Sequence, residues 1–389
     1  MPNYNIISSD SHLEVRPESW HHRVPEEYRS RAPRIIRQSD GGDAFLIEGV
    51  GPTENPQDLF AGKTPQQWKP FQLRYDETAG TGSAEQRIKE QDIDSVDAEI
   101  LFPSQVGGPS LWRNIADDKV YKAMIRGYNS WVIEEYCATN PDRLIGLGVI
   151  PWTNVEDALE ELNFCKKAGF KGVCLGVYPS AKNYPSPEDD KFWAAALEMK
   201  MPLTIHVSLN RSGPRAGQPL IKWPKEPPEL IRKIGRRSLL DRVYRYGLDP
   251  AVTPSQMVIS GLFDRFPDLK FFQAETHIGW LPFWLESADL QYNRNIHWTQ
   301  EYLGYEPLKR LPSEYVRDHF YWSLQGEVHG IQKLRHDIGV DKLLWATDFP
   351  HIECEYPHSQ DAIKEEFAGV PEAEKKAMLV GNAIKFFNL

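Results

Sequence analysis

Short runs of β-branched and aromatic residues alternate with longer amphipathic segments along most of the chain. Eight runs have the length and composition of buried strands: YNIIS, DAEILF, RLIGLGVI, KGVCLG, PLTIH, LKFFQAE, HFYWS and KLLWAT. The segments between them have helical spacing, and one has clear boundaries, because Asn154 can cap a helix from Val155 and Gly169 follows its last turn. Repeated strand–helix alternation predicts a parallel sheet, and eight units in one chain predict an α/β protein with a closed (β/α)8 TIM barrel.

Two stretches interrupt this alternation, and both follow predicted strands. Residues of about 30–80 are rich in Pro, Gly, Gln and Asp, and residues of about 208–252 are basic and Pro-rich. Loops after strands lie at the catalytic face of a barrel, so we expect lids or dimer contacts there. We therefore expect one distorted barrel domain over residues 1–389 with two insertions. A doubly wound open sheet is the alternative, but no Gly-x-Gly-x-x-Gly motif follows the first strand.

The amino-acid composition excludes some classes of function but does not identify the function. The chain has 389 residues, of which 41% are hydrophobic and 26% charged, and these values are ordinary for a globular protein with a sizeable core. A formal net charge of -10 argues against a nucleic-acid partner. The four cysteines form no C-x-x-C pair, which is typical of a reducing compartment. No apolar run approaches the roughly 18 residues of a membrane span, and no signal segment is evident, so we expect no membrane partner and a cytoplasmic location.

Carboxylates and imidazoles lie at the ends of four predicted strands, the first, fifth, sixth and eighth. They are Asp10 and His12, then His206, then Glu275 and His277, and finally Asp348. Residues two apart in a strand share a face, and a barrel gathers its strand ends around one mouth. Each side chain alone could be a helix cap or a rim hydrogen bonder. Together they predict one metal centre, because a carboxylate after a buried strand is costly unless it is paired or metal-bound.

These residues and their flanking segments resemble the amidohydrolase superfamily. The similarity is to the branch of aminocarboxymuconate-semialdehyde decarboxylase and related metal-dependent aromatic-acid decarboxylases. It extends from Asp10 to Asp348 and includes DSHLEVRPESW, YNSWVIEEYCATNPDRLIGLGVIPW, GFKGVCLG, GWLPFW and WATDFPH. The resemblance implies that Asp10, His12, His206 and Asp348 hold one divalent metal ion. It also implies that His277 is an acid/base near the substrate, and that the protein is a homodimer or a higher homo-oligomer.

The chain departs from the family pattern in two places. The first strand of the superfamily often reads His-x-His, whereas Asp10 stands here, an exchange that does occur in the decarboxylase branch. After the sixth strand Glu275 precedes His277, so either residue could take the role of the family histidine. Glu14 has the same parity as His12 but lies beyond the predicted strand, and we expect it to be a surface or turn residue.

The ligand set suggests the chemistry. Two imidazoles and two carboxylates without a thiolate favour Zn²⁺ and leave Mn²⁺ open. We expect a decarboxylase of an aromatic or unsaturated organic acid, in which Asp348 or His277 protonates the carbon that loses CO2. The alternative is a hydrolase in which activated water attacks a C–C, lactone or amide bond. A non-catalytic binding protein would have a broken ligand set, and this set is intact.

Three loop residues are candidates for substrate binding: Arg211, Arg215 and His351. Either arginine could clamp a substrate carboxylate bidentately. His351, in the loop after Asp348, could instead have a structural role.

Overall fold

The computed structural model describes residues 3–54, 59–69, 71–104, 108–209, 247 and 249–389. Its strands are β1 (Ile7–Leu13), β2 (Arg34–Arg37), β3 (Asp43–Ile47), β4 (Gly51–Thr53), β5 (Ala98–Pro103), β6 (Leu144–Gly146), β7 (Gly148–Val149), β8 (Val173–Leu175), β9 (Leu203–His206), β10 (Phe271–Ala274), β11 (Phe320–Leu324) and β12 (Leu343–Trp345). The α-helices are Ala84–Asp94, Pro109–Trp112, Asp118–Trp131, Val155–Ala168, Asp190–Glu198, Asp249–Ile259, Leu262–Arg265, Leu281–Leu303, Pro312–His319, Arg335–Ile338, Ser359–Glu366, Glu372–Lys376 and Asn382–Phe387.

The strands of the barrel are parallel and follow one another in chain order. Each of the predicted strand segments contains a strand, and the third is divided into β6 and β7 at Leu147. One set runs β1-β5-β6 and the other runs from β7 through β8, β9, β10 and β11 to β12. The N–H of Asp348 donates to the carbonyl of Asp10 (2.9 Å), and that of His12 donates to the carbonyl of Phe349 (2.8 Å). These bonds join the chain after β12 to β1, and the predicted barrel is confirmed.

Residues at the ends of the helices that cover the strands determine where these helices begin and end, as the helix Val155–Ala168 shows. The helix Val155–Ala168 begins where predicted, because the Asn154 side chain accepts a hydrogen bond from the N–H of Asp157. It ends at Gly169, whose φ of 95° is left-handed and favours glycine. Among the helices that the structure describes, none is long and apolar enough to cross a membrane.

The first insertion contains structure that the sequence did not predict. Strands β2, β3 and β4 form an antiparallel sheet within it. Further along, the N–H groups of Phe60 and Ala61 donate to the carbonyl of Pro350, at 3.3 and 3.0 Å. The insertion therefore packs against the loop after β12, on the side where Asp348 lies. Most of the second insertion falls outside the described residues.

Aromatic side chains fill the layers on both sides of the strands. The rings of Phe271 and Trp193 make an edge contact between strand and helix, with centroids 5.7 Å apart. Phe102 packs near Phe272 (6.5 Å) and near the imidazole of His206 (5.4 Å). The predicted ligands therefore lie beside apolar, aromatic side chains of the barrel interior.

Candidate metal centre

Four of the predicted site residues converge at the carboxyl ends of the barrel strands. Asp10, His12, His206 and Asp348 are all buried, and each offers a ligand atom within 4.8 Å of the others. The Nε2 atom of His12 lies 3.1 Å from Asp348 Oδ1 and 3.1 Å from His206 Nε2. It is also 3.4 Å from Asp10 Oδ1. The structure thus brings together the residues that the sequence predicted as metal ligands.

The backbone directs these side chains inward. The Nδ1 atom of His12 is 3.1 Å from the carbonyl oxygen of Pro103, so its Nε2 faces the cluster. Four non-glycine residues near the ends of β9, β10 and β12 have left-handed backbones: Val207, Glu275, His277 and Asp348, with φ of 57°, 50°, 51° and 55°. Such residues cost on the order of 1–3 kcal/mol each and concentrate at functional sites. Left-handed backbone conformations therefore occur at the ends of three of the strands that carry or precede the predicted site residues.

The polar atoms of the cluster fit a bound cation. Asp10 is fully buried, yet neither of its carboxylate oxygens accepts a hydrogen bond from the part of the chain that the structure describes. A buried carboxylate without a donor is strongly unfavourable. Two imidazole nitrogens and two carboxylates are also an ordinary donor set for a divalent transition metal. A divalent cation would supply the missing partner of Asp10.

The electrostatics of the cluster lead to the same conclusion. Burial raises the pKa of Asp10 to about 6. Burial alone would lower the pKa of His12, but the nearby carboxylates of Asp10 and Asp348 outweigh it and raise the pKa to about 9. Without a metal the site therefore attracts a proton to His12, because its negative groups favour positive charge.

The two candidates after β10 occupy different environments. Glu275 is buried, and its Oε2 lies 3.3 Å from His206 Nε2, so it adjoins the ligand cluster. The side chain of His277 is 27% exposed, and its Nδ1 lies 3.7 Å from Oε2 of Glu327. Sequence reasoning missed Glu327, although it closely follows the buried strand β11. The other Glu327 oxygen accepts a hydrogen bond from the N–H of Ile278 (2.7 Å), which anchors the turn that carries His277.

The expectation for Glu14 was wrong in one respect. Glu14 does lie beyond β1, but it is fully buried rather than at the surface. Its Oε1 is 3.2 Å from Nε2 of His351, and the other ring nitrogen of His351 is 3.1 Å from Asp348 Oδ1. The period-two parity that links Glu14 to Asp10 and His12 was the signal that could have predicted its burial.

A second group of ligand-type side chains overlaps the first. His12, Glu14 and His351 also have ligand atoms within 4.8 Å of one another. Only the Nε2 of His12 is available to either group, because its Nδ1 faces the Pro103 carbonyl. The second group therefore belongs to the surroundings of the first site and is not an independent metal centre.

Two predicted substrate contacts, Arg211 and Arg215, fall outside the described residues, so their role stays a prediction. The role of His351 in substrate binding likewise stays a prediction. Near the end of β1, Trp20 and Trp112 line a small, largely apolar cavity and pack together with centroids 5.0 Å apart. These tryptophans both fill the core and give the region an aromatic wall.

Fold and site together define a (β/α)8 barrel with a candidate metal centre at the carboxyl ends of its strands. The amidohydrolase family model matches residues 19–389. The chain therefore belongs to the amidohydrolase family, as the sequence motifs predicted.

Individual relatives fall in the predicted branch. The chain is 25% identical over 359 residues to γ-resorcylate decarboxylase of Rhizobium sp. (strain MTP-10005), with coverage of 90% of this chain and 98% of the relative. It is 25% identical over 316 residues to 2-amino-3-carboxymuconate-6-semialdehyde decarboxylase of Dictyostelium discoideum, covering 78% and 76%. A solved 5-carboxyvanillate decarboxylase from Novosphingobium aromaticivorans, complexed with manganese and 4-hydroxy-3-methoxy-5-nitrobenzoic acid, has a TM-score of 0.66. That match has 18% identity and covers 100% of this chain and 97% of the other.

Proposed function

We propose that this protein is a metal-dependent, non-oxidative decarboxylase of an aromatic or unsaturated carboxylic acid. The observation that carries the proposal is the buried cluster of two imidazoles and two carboxylates, in which the carboxylate of Asp10 accepts no hydrogen bond from the described chain. The reaction class is supported by the relatives, since both curated proteins named above are decarboxylases. The solved relative with a benzoic acid derivative supports an aromatic substrate.

Asp10, His12, His206 and Asp348 would hold one divalent cation. When bound, such a cation supplies a Lewis acid that polarises a substrate carboxylate and neighbouring oxygens. The two carboxylates of the cluster and the manganese of the solved relative support Mn²⁺. Zn²⁺, favoured by the sequence, stays a prediction, as do the homo-oligomer and the cytoplasmic location.

The residues around the cluster would transfer one proton to the substrate. Decarboxylation replaces a bond between carbon and a carboxylate with a bond to hydrogen, so the site has to deliver a proton to carbon while CO2 leaves. His277 or Asp348 is the proposed donor. His277 is partly exposed and anchored beside Glu327, whereas Asp348 belongs to the ligand cluster. Phe102 packs near the imidazole of His206, and an apolar side chain beside the cluster would disfavour water there and so favour loss of a charged carboxylate as neutral CO2.

The proposal is tested by CO2 release from a panel of hydroxyaryl carboxylic acids. We expect stoichiometric CO2 from the protein loaded with Mn²⁺ or Zn²⁺, and loss of activity after treatment with a chelator that is reversed by added metal. Incorporation of ¹⁸O from labelled water into the product without CO2 release would reject the decarboxylase and favour the hydrolase. A protein that binds neither metal would contradict both reactions.

A further inference from the structure

The ring of His351 lies between two buried carboxylates beside the ligand cluster. Its Nδ1 is 3.1 Å from Asp348 Oδ1, and its Nε2 is 3.2 Å from Glu14 Oε1. The ring also stacks on that of His12, with centroids 3.9 Å apart and planes 19° from parallel. The N–H of His351 donates to the carbonyl of Asp348 (2.8 Å), so a short turn returns the ring over this residue. The imidazole is thus held at both nitrogens and on one face.

This arrangement accounts for the burial of Glu14. Both Glu14 and His351 are buried, at 0% and 6% exposure. A carboxylate removed from water requires a hydrogen-bond donor or an opposite charge, and the Nε2 of His351 can donate to it. Glu14 continues the parity of Asp10 and His12, and His351 contacts both Glu14 and Asp348 of the four-residue cluster.

The carboxylate of Asp348 contacts two imidazoles. Its Oδ1 lies 3.1 Å from the Nδ1 of His351 and 3.1 Å from the Nε2 of His12. Its N–H donates to the Asp10 carbonyl, and its backbone has a left-handed φ of 55°. The backbone of Asp348 is held by a hydrogen bond, and one of its carboxylate oxygens is in close contact with two imidazoles, which restrict the rotation of the side chain.

We propose that Glu14 and His351 form a positioning pair that orients the Asp348 carboxylate for metal binding. Glu14 acts through His351, and His351 acts through Asp348. This inference rests on the metal site of the proposed function but not on the reaction catalysed there. Residues that hydrogen-bond to metal ligands typically change metal affinity by about 10–100-fold when they are replaced.

The test measures metal binding to the metal-free protein without any substrate. Glu14→Gln keeps the size and an acceptor oxygen but removes the charge, and His351→Gln removes the ring. Glu26→Gln, at an exposed position in the 3₁₀ helix Glu26–Arg31, is the matched control. Titration with Mn²⁺, followed by electron paramagnetic resonance of the free ion, gives the affinity. The absorption spectrum with Co²⁺ reports ligand geometry, and circular dichroism with thermal melting of the metal-free protein reports the fold.

We expect each single variant to bind Mn²⁺ about 10-fold more weakly and to alter the Co²⁺ spectrum, with the metal-free fold retained. The control should match the wild type. Because both residues act through one chain of contacts, the double variant should bind about as weakly as the weaker single variant. Multiplicative losses in the double variant would overturn the proposal.

A second set of outcomes separates this inference from the proposed reaction. A folded variant with the Mn²⁺ affinity and the Co²⁺ spectrum of the wild type would overturn the proposed positioning pair. If Glu14→Gln does not fold, His351→Gln provides the same test. A wild-type protein that binds no divalent metal would overturn it as well. If metal binding responds as expected but no acid releases CO2, only the proposed reaction fails.

Discussion

Two buried clusters of charged side chains lie at the seam between β1 and the chain after β12, and they satisfy their polar atoms differently. Arg87 donates to both oxygens of Glu99, with Nε–Oε2 at 2.7 Å and Nη2–Oε1 at 3.0 Å. Its other donors reach the carbonyls of His12 (3.0 Å) and Phe349 (3.3 Å). Asp10 is equally buried, yet its carboxylate accepts no hydrogen bond from the described chain.

The difference distinguishes a structural ion pair from the candidate metal site. In the first cluster every charged group has a protein partner of suitable geometry, so the cluster is complete without a ligand. In the second, the carboxylate oxygens and imidazole nitrogens of Asp10 and its neighbours lie close together. A proton or a cation is needed to balance their negative charge. Removing a charge should therefore affect metal and activity in the second cluster and the fold in the first.

The largest effect is expected from Asp348→Asn in the ligand cluster. The amide has nearly the shape of the carboxylate but is a poor metal ligand, so turnover should fall by at least about 10³-fold and the bound metal should be lost. The far-ultraviolet circular dichroism spectrum should stay that of the wild type, because the backbone contacts of Asp348 are unchanged. Metal analysis and activity assays check this, with Asp341→Asn, whose side chain is 62% exposed, as the control. Retained activity would remove Asp348 from the mechanism.

Arg87→Met should give the opposite pattern. It leaves the Glu99 carboxylate buried without its partner, and breaking such a pair typically costs about 3–5 kcal/mol. Urea unfolding of the metal-free protein should therefore show a lower midpoint, while the residual folded protein still binds metal. Adding Glu99→Leu should recover part of the loss, because the unpaired charge is gone. A wild-type midpoint for Arg87→Met would show that this cluster does not stabilise the fold.

The parts that the sequence predicted rest on local patterns. Strand–helix alternation gave the barrel because each strand carries its own apolar run. Period-two parity placed Asp10 and His12 on one face of β1, and strand ends located His206 and Asp348. These rules need only a few neighbouring residues, so they hold without knowledge of the rest of the fold.

The parts that were missed depend on distant partners. The burial of Glu14 is explained by His351, which lies 337 residues away in the chain. Strands β2 to β4 are short and lie in a segment rich in Pro and Gly, so their sheet is set by pairing rather than by composition. Glu327 carried the same signal as Asp348, a carboxylate after a buried strand, but no motif drew attention to it.

Glu327 adds a third kind of buried carboxyl to the comparison. It has no arginine partner among the described residues, and the Nδ1 of His277 is 3.7 Å away, beyond hydrogen-bond distance. Burial raises its pKa from the ordinary value of 4.5 to about 8, and the hydrogen bond from the Ile278 N–H offsets this only in part. Glu99 is thus satisfied by a guanidinium, Asp10 is proposed to be satisfied by a bound cation, and burial favours the protonated form of Glu327.

This third case predicts a small pH effect on stability. Between about pH 4.5 and pH 8 the folded protein keeps a proton on Glu327 that the unfolded chain releases, so stability is lost as the pH rises through this window. Glu327→Gln cannot ionise, and its melting temperature relative to the wild type should rise by at least about 2 °C between pH 5 and pH 9. The exposed Glu365→Gln is the control and should show no such trend. If the melting temperatures of the wild type and Glu327→Gln changed in parallel with pH, Glu327 would be charged in the folded protein. The protein would then have two kinds of buried carboxyl group rather than three.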